Sequence, residues 1–329
     1  MLLLSKADIE KFYTLEDCIN AVGDAFRLFS EGKVQVPLRT QIKKQNDQDT
    51  FLCMPAFCEE YDASCVKVLN MFPGNIDQGM SSINAQVLNI DAKTGVVDTV
   101  MDGSYVTQLR TGAASGVAFK YLAKQNCRKG ALIGTGGQAA TQLEAMLIVR
   151  DLEEVQVSDL DYDRAVEFAE KMNRKLAKYG TKITAAKNGN EAVTDADLVI
   201  SVTPSKQPVY DAENIKPGAT VSGVGSYQPD MEETPAELVE KADKIYFDSK
   251  DAVLAEAGDI LIPLDKKKIT DAYFTGDIGE VIGEKVVGRE NDDEIIFFKT
   301  VGIAAQDLTT AKSIHDKAVE QGFGTYWND

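Results

Sequence analysis

The chain has 329 residues, of which 44% are hydrophobic and 26% are charged, and its 35 basic and 52 acidic residues give a net charge of −17. The length favours two domains, and the acidic balance argues against a nucleic-acid partner, because binding a phosphate backbone requires a basic face. A run of about 18 apolar residues, the length of a membrane span, does not occur, and the amino-terminal leucines are too few for a signal peptide. We therefore expect a cytoplasmic protein without a membrane partner.

Cysteine and histidine, the usual zinc ligands, are sparse. The chain has five cysteines, an odd count without a CxxC pair, and a single histidine, His315. We expect reduced, mostly buried thiols and no metal site, and a surface or packing role for His315.

The first hundred residues predict a mainly antiparallel sheet with flanking helices. Thr14 and Asp17 have the spacing of a capping box and open an amphipathic helix that ends near Gly32. Segments rich in β-branched and alternating residues follow, and "DAKTG" at 91–95 predicts a hairpin-type connection between two of them. A helix over Thr107–Ala123 is expected next.

From Gly130 onward, apolar strands alternate with amphipathic helices. This βαβ alternation predicts a doubly wound parallel sheet of the Rossmann type. A final helix, about 304–320, is expected to return to the first domain. The predicted fold class is α/β, with a substrate and dimerisation domain of mainly antiparallel α+β type over 1–120 and 304–329. The predicted dinucleotide-binding domain covers 121–303.

The stretch "KGALIGTGGQAA" predicts a dinucleotide-binding loop. It fits G-x-G-x-x-A as Gly134, Gly136 and Ala139, after an apolar strand and at the start of a helix. Gly134 permits the tight turn and Gly136 leaves room for the pyrophosphate. Ala139 allows close helix packing, and the helix amino terminus points N–H groups at the phosphates.

The second strand of this unit ends in Asp159, at an offset of 159 − 134 = 25 residues from the first glycine. A carboxylate near this distance accepts hydrogen bonds from the adenosine ribose and repels a 2′-phosphate. The adjacent residues, Leu160 and Asp161, include no arginine to receive such a phosphate, so NAD(H) is favoured over NADP(H). The alternative is that Asp159 only caps the turn.

Three cations lie in apolar surroundings. Arg39 follows Pro37 and Leu38, Lys67 shares its strand face with Cys65 and Leu69, and Arg110 lies at the start of a small-residue helix. A cation on an apolar face is costly unless it meets an anion. Each one alone is explained by a structural ion pair or by a side chain that reaches solvent. Together, in an acidic chain, they predict a pocket for a carboxylate-bearing small molecule.

Segments around these residues resemble the ornithine cyclodeaminase/mu-crystallin family. They run in family order over nearly the whole chain, which is far more specific than a glycine pattern alone. The segments are "VPLRT", "MPAF", "VKVLN", "MDGSYVTQLRTGAAS", "GTGGQA", "VTPSKQPV", "KPGATVSGVGSYQPDMEE" and "KTVGIAAQDLTTAK". The resemblance implies a homodimer, whose first domain forms the interface and supplies the substrate cations while the central domain binds NAD(P).

Positions that match the family pattern imply the site residues. Arg39, Lys67 and Arg110 are expected to contact the substrate carboxylate, with Lys67 handling the proton. The expected cofactor contacts are Ser82 and Arg110 beside the phosphates, Gly134, Gly136, Gln138 and Asp159 at the adenosine diphosphate portion, and Val202, Thr203, Val224 and Val301 at the nicotinamide.

One position departs from the cyclodeaminase pattern, which has an aspartate two residues before a proline. Here "GSYQPD" has Tyr227 in that place, and Asp230 follows Pro229, as in mu-crystallin-like members. A tyrosine, with an ordinary pKa of about 10, is not a carboxylate base near neutral pH. Asp230 either reaches the substrate as a catalytic residue or supports the loop.

The leading hypothesis is an NAD(H)-dependent oxidoreductase acting on the Cα–N bond of an amino acid or its imine. Arg39 and Arg110 would hold the carboxylate over the nicotinamide, and Lys67 would transfer the proton. This describes a ketimine reductase or an amino-acid dehydrogenase. One alternative is ornithine cyclodeaminase, which converts ornithine to proline and ammonia without net redox change. Another is a non-catalytic, nucleotide-dependent binder of small ligands.

Overall fold

The computed structural model describes residues 1–37, 39–44 and 49–327. The chain divides into two compact units. Unit 1 comprises Met1–Arg110 and Ile303–Asp329, and unit 2 comprises Thr111–Gly302. The sequence-based boundaries at 120/121 and 303/304, with a substrate role for one domain and a dinucleotide role for the other, stay a prediction.

The longest strands within the described residues lie in unit 1, and the strands of unit 2 are short. In chain order the strands are β1 (Leu2–Leu4), β2 (Val34–Gln35), β3 (Thr40–Lys43), β4 (Thr50–Cys58), β5 (Ala63–Met71), β6 (Ile83–Asp91), β7 (Val97–Asp102), β8 (Lys129–Ile133), β9 (Glu154–Ser158), β10 (Lys182–Ala185), β11 (Leu198–Ser201), β12 (Thr220–Gly223), β13 (Lys244–Phe247), β14 (Phe274–Asp277), β15 (Ile296–Lys299) and β16 (Thr325–Tyr326). The α-helices are α1 (Lys6–Phe12), α2 (Leu15–Ser30), α3 (Gly103–Leu122), α4 (Ala139–Val149), α5 (Tyr162–Lys175), α6 (Gly189–Val193), α7 (Ala236–Lys241), α8 (Lys250–Glu256), α9 (Gly258–Asp265), α10 (Ile278–Ile282) and α11 (Ala304–Gln321).

The sheet of unit 1 has the order β16-β1-β7-β6-β5-β4-β2, with β3 paired to β4. Its long central strands, β4 to β7, are antiparallel, as their alternating sequences predict. The exception is β1, which lies parallel to β7. The amino-terminal leucines therefore form a strand at this edge of the sheet, with Leu2 and Leu4 buried.

Helix α11 covers this sheet, and α2 packs against α11 and the edge strand β2. The predicted capping box of α2 is confirmed, since the Thr14 side chain accepts from the Asp17 N–H and the Asp17 side chain accepts from the Thr14 N–H. The carboxyl-terminal helix α11 packs against α2 and against β4, β5 and β6. Helix α11 therefore places its first turns directly over the strand that carries Lys67.

Helix α3 begins at Gly103, four residues before the predicted start. The Asp102 carboxylate accepts a hydrogen bond from the Tyr105 N–H at 2.9 Å, which satisfies a free donor of the first turn. The aspartate that ends β7 thus also starts the helix, and the sequence-based estimate placed the start too late.

The sheet of unit 2 has the order β10-β9-β8-β11-β12-β15-β13-β14, and every strand pair in it is parallel. The predicted α/β fold class with a doubly wound parallel sheet is confirmed. Strand β8 lies between β9 and β11, so the chain order reverses at its carboxyl end. Ligands of open α/β sheets bind at such a switch point.

Among the helices of the described residues, none combines the length and the apolar character that crossing a membrane requires.

Candidate active site

Lys67 forms a buried ion pair in unit 1. It lies on β5, on the same face as Cys65 and Leu69, and its side chain is 0% exposed. The Lys67 Nζ donates to both carboxylate oxygens of Asp307 on α11, at 2.8 and 2.7 Å. The side chain thus meets the anion that a cation on an apolar face requires.

Arg110 approaches the same carboxylate from α3. Its Nε lies 3.4 Å from Asp307 Oδ1, and its Nη1 donates to Gln306 Oε1 at 3.4 Å. The Gln306 Nε2 donates back to the Arg110 carbonyl at 3.4 Å, while Gln306 Oε1 also accepts from the Ile303 N–H at 2.9 Å. Adjacent residues of α11 therefore hold both cations, Lys67 through Asp307 and Arg110 through Gln306 and Asp307.

The electrostatics of this cluster adjust the Lys67 ammonium. Burial lowers the pKa of Lys67 to about 8; Asp307 opposes that shift, and the charges of Arg110 and Arg39 add to it. Arg39 is partly exposed. The structure therefore brings Lys67 and Arg110 to one carboxylate, and the charge of Arg39 also acts on Lys67. A lysine with a pKa of about 8 exchanges protons near neutral pH.

The charges and hydrogen-bond donors of this cluster favour binding of an additional anion. Lys67 and Arg110 share the single carboxylate of Asp307, which leaves an excess positive charge. Among the residues that the structure describes, the buried Arg110 Nε–H has no hydrogen-bond acceptor, because its contact with Asp307 is an ion pair without hydrogen-bond geometry. A buried donor of this kind is costly until a ligand oxygen meets it.

The glycine loop of unit 2 follows β8 at the switch point of the sheet. Gly134 has φ +97°, and a Cβ there would lie 2.8 Å from the Val202 carbonyl oxygen, so only glycine fits. A Cβ at Gly136 would meet no atom within 4 Å, which leaves the space open. Gln138 occupies the N-cap position of α4 and makes no side-chain cap hydrogen bond. The free N–H groups of this helix suit a pyrophosphate, so these residues fit a dinucleotide.

Asp159 directly follows β9 and is tied to the same loop. Its Oδ2 accepts from the Thr135 N–H at 2.9 Å and from the Thr135 hydroxyl at 2.6 Å. Burial alone would raise the pKa of Asp159, but the Thr135 hydrogen bonds lower it overall, so the carboxylate is ionised at neutral pH. Arg164 Nη1 lies 3.7 Å from Asp159 Oδ1. This arginine was missed, because it comes from the first turn of α5 instead of the residues beside Asp159.

The residues predicted at the nicotinamide lie at the carboxyl edge of the parallel sheet. Val202 and Thr203 directly follow β11, Val224 follows β12 and Val301 follows β15. Two buried carboxylates hold these segments through backbone N–H groups, Glu233 at Thr203 and Val224, and Asp248 at Val301. Neither acid was identified from the sequence.

The remaining predicted residues lie outside these clusters. Asp230 is 59% exposed and pairs with Lys206 at 2.6 Å, in unit 2. Ser82, in unit 1, precedes β6, and its carbonyl accepts from the Phe72 N–H at 2.7 Å. Tyr227 is partly buried, and burial raises its pKa above the usual value. Within the described residues, no group of three or more His, Cys, Asp or Glu side chains is arranged to hold a metal ion.

The acids and amides that organise the cation cluster were also missed by sequence reasoning. Gln306 and Asp307 lie in "GIAAQDLTTA", a run of small and apolar residues, and both are 0% exposed. A polar pair in the first turn of such a helix is the signal that points to them, because a buried acid requires a cationic partner.

Comparisons with known proteins place the chain among amino-acid and imine oxidoreductases. The family model described as "Ornithine cyclodeaminase/mu-crystallin family" matches residues 1–322. A Δ1-pyrroline-2-carboxylate reductase of Bacillus cereus is 36% identical over 324 residues, which is 98% of each chain. The structure of the Thermococcus litoralis Δ1-pyrroline-2-carboxylate reductase, in complex with NADH and L-proline, has a TM-score of 0.94 and 39% identity, covering 99% of this chain and 100% of that one. An archaeal alanine dehydrogenase dimer with bound NAD has a TM-score of 0.91 and 32% identity, covering 100% of this chain and 99% of that one.

Proposed function

The chain belongs to the ornithine cyclodeaminase/mu-crystallin family, and we propose that it is an NAD(H)-dependent oxidoreductase of an α-imino acid and the matching α-amino acid. The fold and the named relatives support an imine reductase or amino-acid dehydrogenase with NAD(H) as cofactor. We propose a cyclic imine carboxylate of the Δ1-pyrroline-2-carboxylate type as the first substrate to test. Alanine is the second, because an alanine dehydrogenase is also similar over the whole chain.

The observation that carries this proposal is the excess of buried cations around Asp307. Lys67 and Arg110 share one carboxylate, and the Arg110 Nε–H lacks an acceptor among the described residues. A substrate carboxylate supplies both the missing charge and the missing acceptor, and a guanidinium group suits it geometrically. Arg39, whose charge acts on Lys67, is proposed to contact the same carboxylate.

Lys67 is proposed to move the proton. When bound, NAD(H) supplies or accepts the hydride at the substrate carbon. Reduction of the imine also requires one proton on nitrogen, and Lys67, with a pKa of about 8, is protonated at neutral pH and acidic enough to donate it. In the reverse direction neutral Lys67 takes one proton from the substrate ammonium. With an acyclic substrate, water then attacks the carbon of the resulting iminium, and ammonia is released.

The cofactor residues are proposed in the roles that the family pattern implies. Gly134, Gly136 and Gln138 would hold the pyrophosphate at the amino terminus of α4, with Ser82 and Arg110 beside the phosphates. Asp159 would bind the adenosine ribose and favour NAD(H). Val202, Thr203, Val224 and Val301 would line the nicotinamide. Asp230, exposed and paired with Lys206, is proposed to support its loop instead of acting as a catalytic base.

We propose a homodimer in the cytoplasm. An archaeal alanine dehydrogenase with this fold forms a dimer, and the family resemblance implies that the first domain supplies the interface. All five cysteines lie within the described residues and are free thiols, which suits a reducing compartment. Size-exclusion chromatography with light scattering tests the dimer directly.

A substrate panel tests the function. Purified protein is mixed with NADH or NADPH and cyclic imine carboxylates, or with NAD and proline or alanine, and absorbance at the nicotinamide band is followed. We expect imine-dependent oxidation of NADH. Ornithine with catalytic NAD is a separate reaction in the panel: proline and ammonia without NADH accumulation indicates a cyclodeaminase, which Tyr227 in the aspartate position argues against. NADH binding without turnover of any substrate indicates a ligand binder and contradicts the proposal.

A further inference from the structure

One buried carboxylate joins two loops of unit 2. Glu233 Oε2 accepts from the Thr203 N–H at 2.7 Å and from the Thr203 hydroxyl at 3.0 Å, in the loop after β11. Glu233 Oε1 accepts from the N–H groups of Val224 at 3.1 Å and Gly225 at 2.5 Å, after β12. The side chain is 0% exposed, so water does not compete for these bonds. Each of these four hydrogen bonds therefore fixes one of the two loops.

The two loops are in direct backbone contact at Gly225. A Cβ at this position would lie 2.1 Å from the Thr203 carbonyl oxygen, 2.3 Å from its nitrogen and 2.7 Å from Glu233 Oε2. Real side chains do not come this close, so the contact requires glycine. The absence of a side chain at Gly225 lets Glu233 bond both loops at once.

The backbone of Glu233 is itself held by a second buried carboxylate, Asp259. Asp259 Oδ1 accepts from the N–H groups of Glu233 at 2.8 Å and Thr234 at 3.0 Å. Asp259 Oδ2 accepts from Lys299 Nζ at 3.0 Å, and all three charged side chains are 0% exposed. Residues that are fixed by packing and by further hydrogen bonds position their neighbours far more sharply than mobile ones do.

We propose that Glu233 is a positioning residue for the nicotinamide half of the cofactor: it sets the spacing between Thr203 and Val224, between which the ring is held. This inference rests on the proposed NAD(H) function, from which it takes the roles of those two residues. The adenosine half is held by other groups, since Thr135 bonds to Asp159 and the glycine loop follows a different strand. Loss of the Glu233 carboxylate should therefore weaken binding of the nicotinamide half and leave binding of the adenosine half nearly unchanged.

The experiment compares NADH with ADP-ribose, which lacks the nicotinamide. In Glu233→Gln the side-chain size is kept, but the amide NH2 replaces an acceptor and faces backbone N–H groups. We expect the NADH Kd, from fluorescence titration, to rise about tenfold, which is about 1.4 kcal/mol. The ADP-ribose Kd, from calorimetry, should change less than about twofold. The control is Glu232→Gln, the adjacent and partly exposed acid, which should change neither Kd.

Equal weakening of NADH and ADP-ribose would show a purely structural role for Glu233, and an unchanged NADH Kd would show no role; either result overturns the inference. Wild-type protein that binds no NADH overturns the proposed function, and this is known before any variant is compared. If circular dichroism shows that Glu233→Gln is unfolded, Thr203→Val decides. This change removes the hydroxyl hydrogen bond to Glu233 and the one that the hydroxyl accepts from the Ser205 N–H, and we expect a roughly threefold rise in the NADH Kd alone. Thr203→Ser keeps the hydroxyl and should leave the NADH Kd near the wild-type value; no rise in Thr203→Val, or an equal rise in Thr203→Ser, contradicts the inference.

Discussion

Each unit contains a buried lysine–aspartate pair, and the two pairs have similar geometry in opposite surroundings. In unit 1 the Lys67 Nζ lies 2.7 Å from Asp307, and in unit 2 the Lys299 Nζ lies 3.0 Å from Asp259. All four side chains are 0% exposed. The contact itself therefore does not distinguish a pair that serves chemistry from one that serves structure.

The charges around the pairs do distinguish them. Beside Lys67, burial and the guanidinium groups of Arg110 and Arg39 lower the lysine pKa to about 8. Beside Lys299 the extra charge is a carboxylate, and burial together with Asp259 raises the pKa of Glu233. The excess positive charge in unit 1 favours an anionic ligand. In unit 2 the additional carboxylate, Glu233, already accepts hydrogen bonds from backbone N–H groups. The sign of the excess charge is the feature on which we propose the Lys67 pair, and not the Lys299 pair, as the substrate-binding one.

The largest expected difference between the pairs is in turnover. Lys299→Met leaves the buried Asp259 carboxylate without its cation and should cost about 3–5 kcal/mol of stability. Lys67→Met should cost less, because Arg110 still pairs with Asp307. Loss of a positioned proton donor lowers the rate about 10²–10⁴-fold. We therefore expect both variants to have a lower Tm. At saturating NADH and imine, Lys67→Met should turn over at least about 100-fold more slowly than Lys299→Met, per folded molecule.

The matched surface control for this experiment is Lys93→Met. Lys93 is 70% exposed and pairs with Asp62 at 2.7 Å in the same unit as Lys67. Exposed pairs contribute little to stability, so Tm and turnover should both stay near the wild-type values. Turnover of Lys67→Met within about tenfold of Lys299→Met would show that the two pairs are equivalent and would remove Lys67 from the proposed mechanism.

Local patterns allowed the cations and the glycine loop to be predicted, but not the acids that hold them in place. Lys67 was found because strand alternation places it among apolar residues, and the structure buries it on that face. Gly134 was found because strand, turn and helix follow each other directly. Both signals lie within a few residues of sequence, where backbone geometry decides the structure.

The partners were not predictable because tertiary folding supplies them. Asp307 is 240 residues from Lys67, and Glu233 is 30 residues from Thr203. Hydropathy patterns predict which face of an element is buried, but not which charged side chain from a distant part of the sequence contacts that face. The parallel pairing of β1 with β7 was missed for the same reason, since three leucines at a terminus have no local feature that assigns them an edge of the sheet.

An intermediate effect is expected at Asp159. This carboxylate of unit 2 accepts hydrogen bonds from Thr135, as a structural acid does, and it is also proposed to bind the cofactor. In Asp159→Ser, the acceptor for the ribose hydroxyls is lost and the repulsion of a 2′-phosphate disappears. We expect the KM for NADH to rise about tenfold and the KM for NADPH to fall, as measured by initial rates with both cofactors.

Arg164 supplies the control for that selectivity change. It lies 3.7 Å from Asp159 and is the cation available to a 2′-phosphate once the aspartate is gone. Adding Arg164→Ala to Asp159→Ser should cancel the gain with NADPH and leave the loss with NADH. Unchanged NADH selectivity in Asp159→Ser would show that the carboxylate only caps its turn, so that Asp159, like Asp259, would serve only the structure of unit 2.

The smallest expected effect is a shift in pH dependence at Asp307. In the proposed mechanism imine reduction uses protonated Lys67, so the wild-type kcat/KM should fall as pH rises through about 8. In Asp307→Asn the negative charge that stabilises the ammonium is lost, whereas burial and Arg110 still oppose it, so the Lys67 pKa falls. The alkaline limb of kcat/KM, which reports the free enzyme, should therefore move to lower pH by about one unit or more. The nearby Cys18 thiol, whose pKa burial raises to about 12, stays neutral over this range.

The same substitution also makes the cluster more positive, so the KM of the carboxylate substrate should not rise. This split between KM and the pH limb separates a charge effect from simple loosening of α11, which would raise KM and leave the limb in place. Asp316→Asn is the control, because Asp316 is 56% exposed and pairs with Lys312 on the same helix. An alkaline limb that stays fixed, or moves to higher pH, would mean that the ion pair of unit 1 is as purely structural as its counterpart in unit 2.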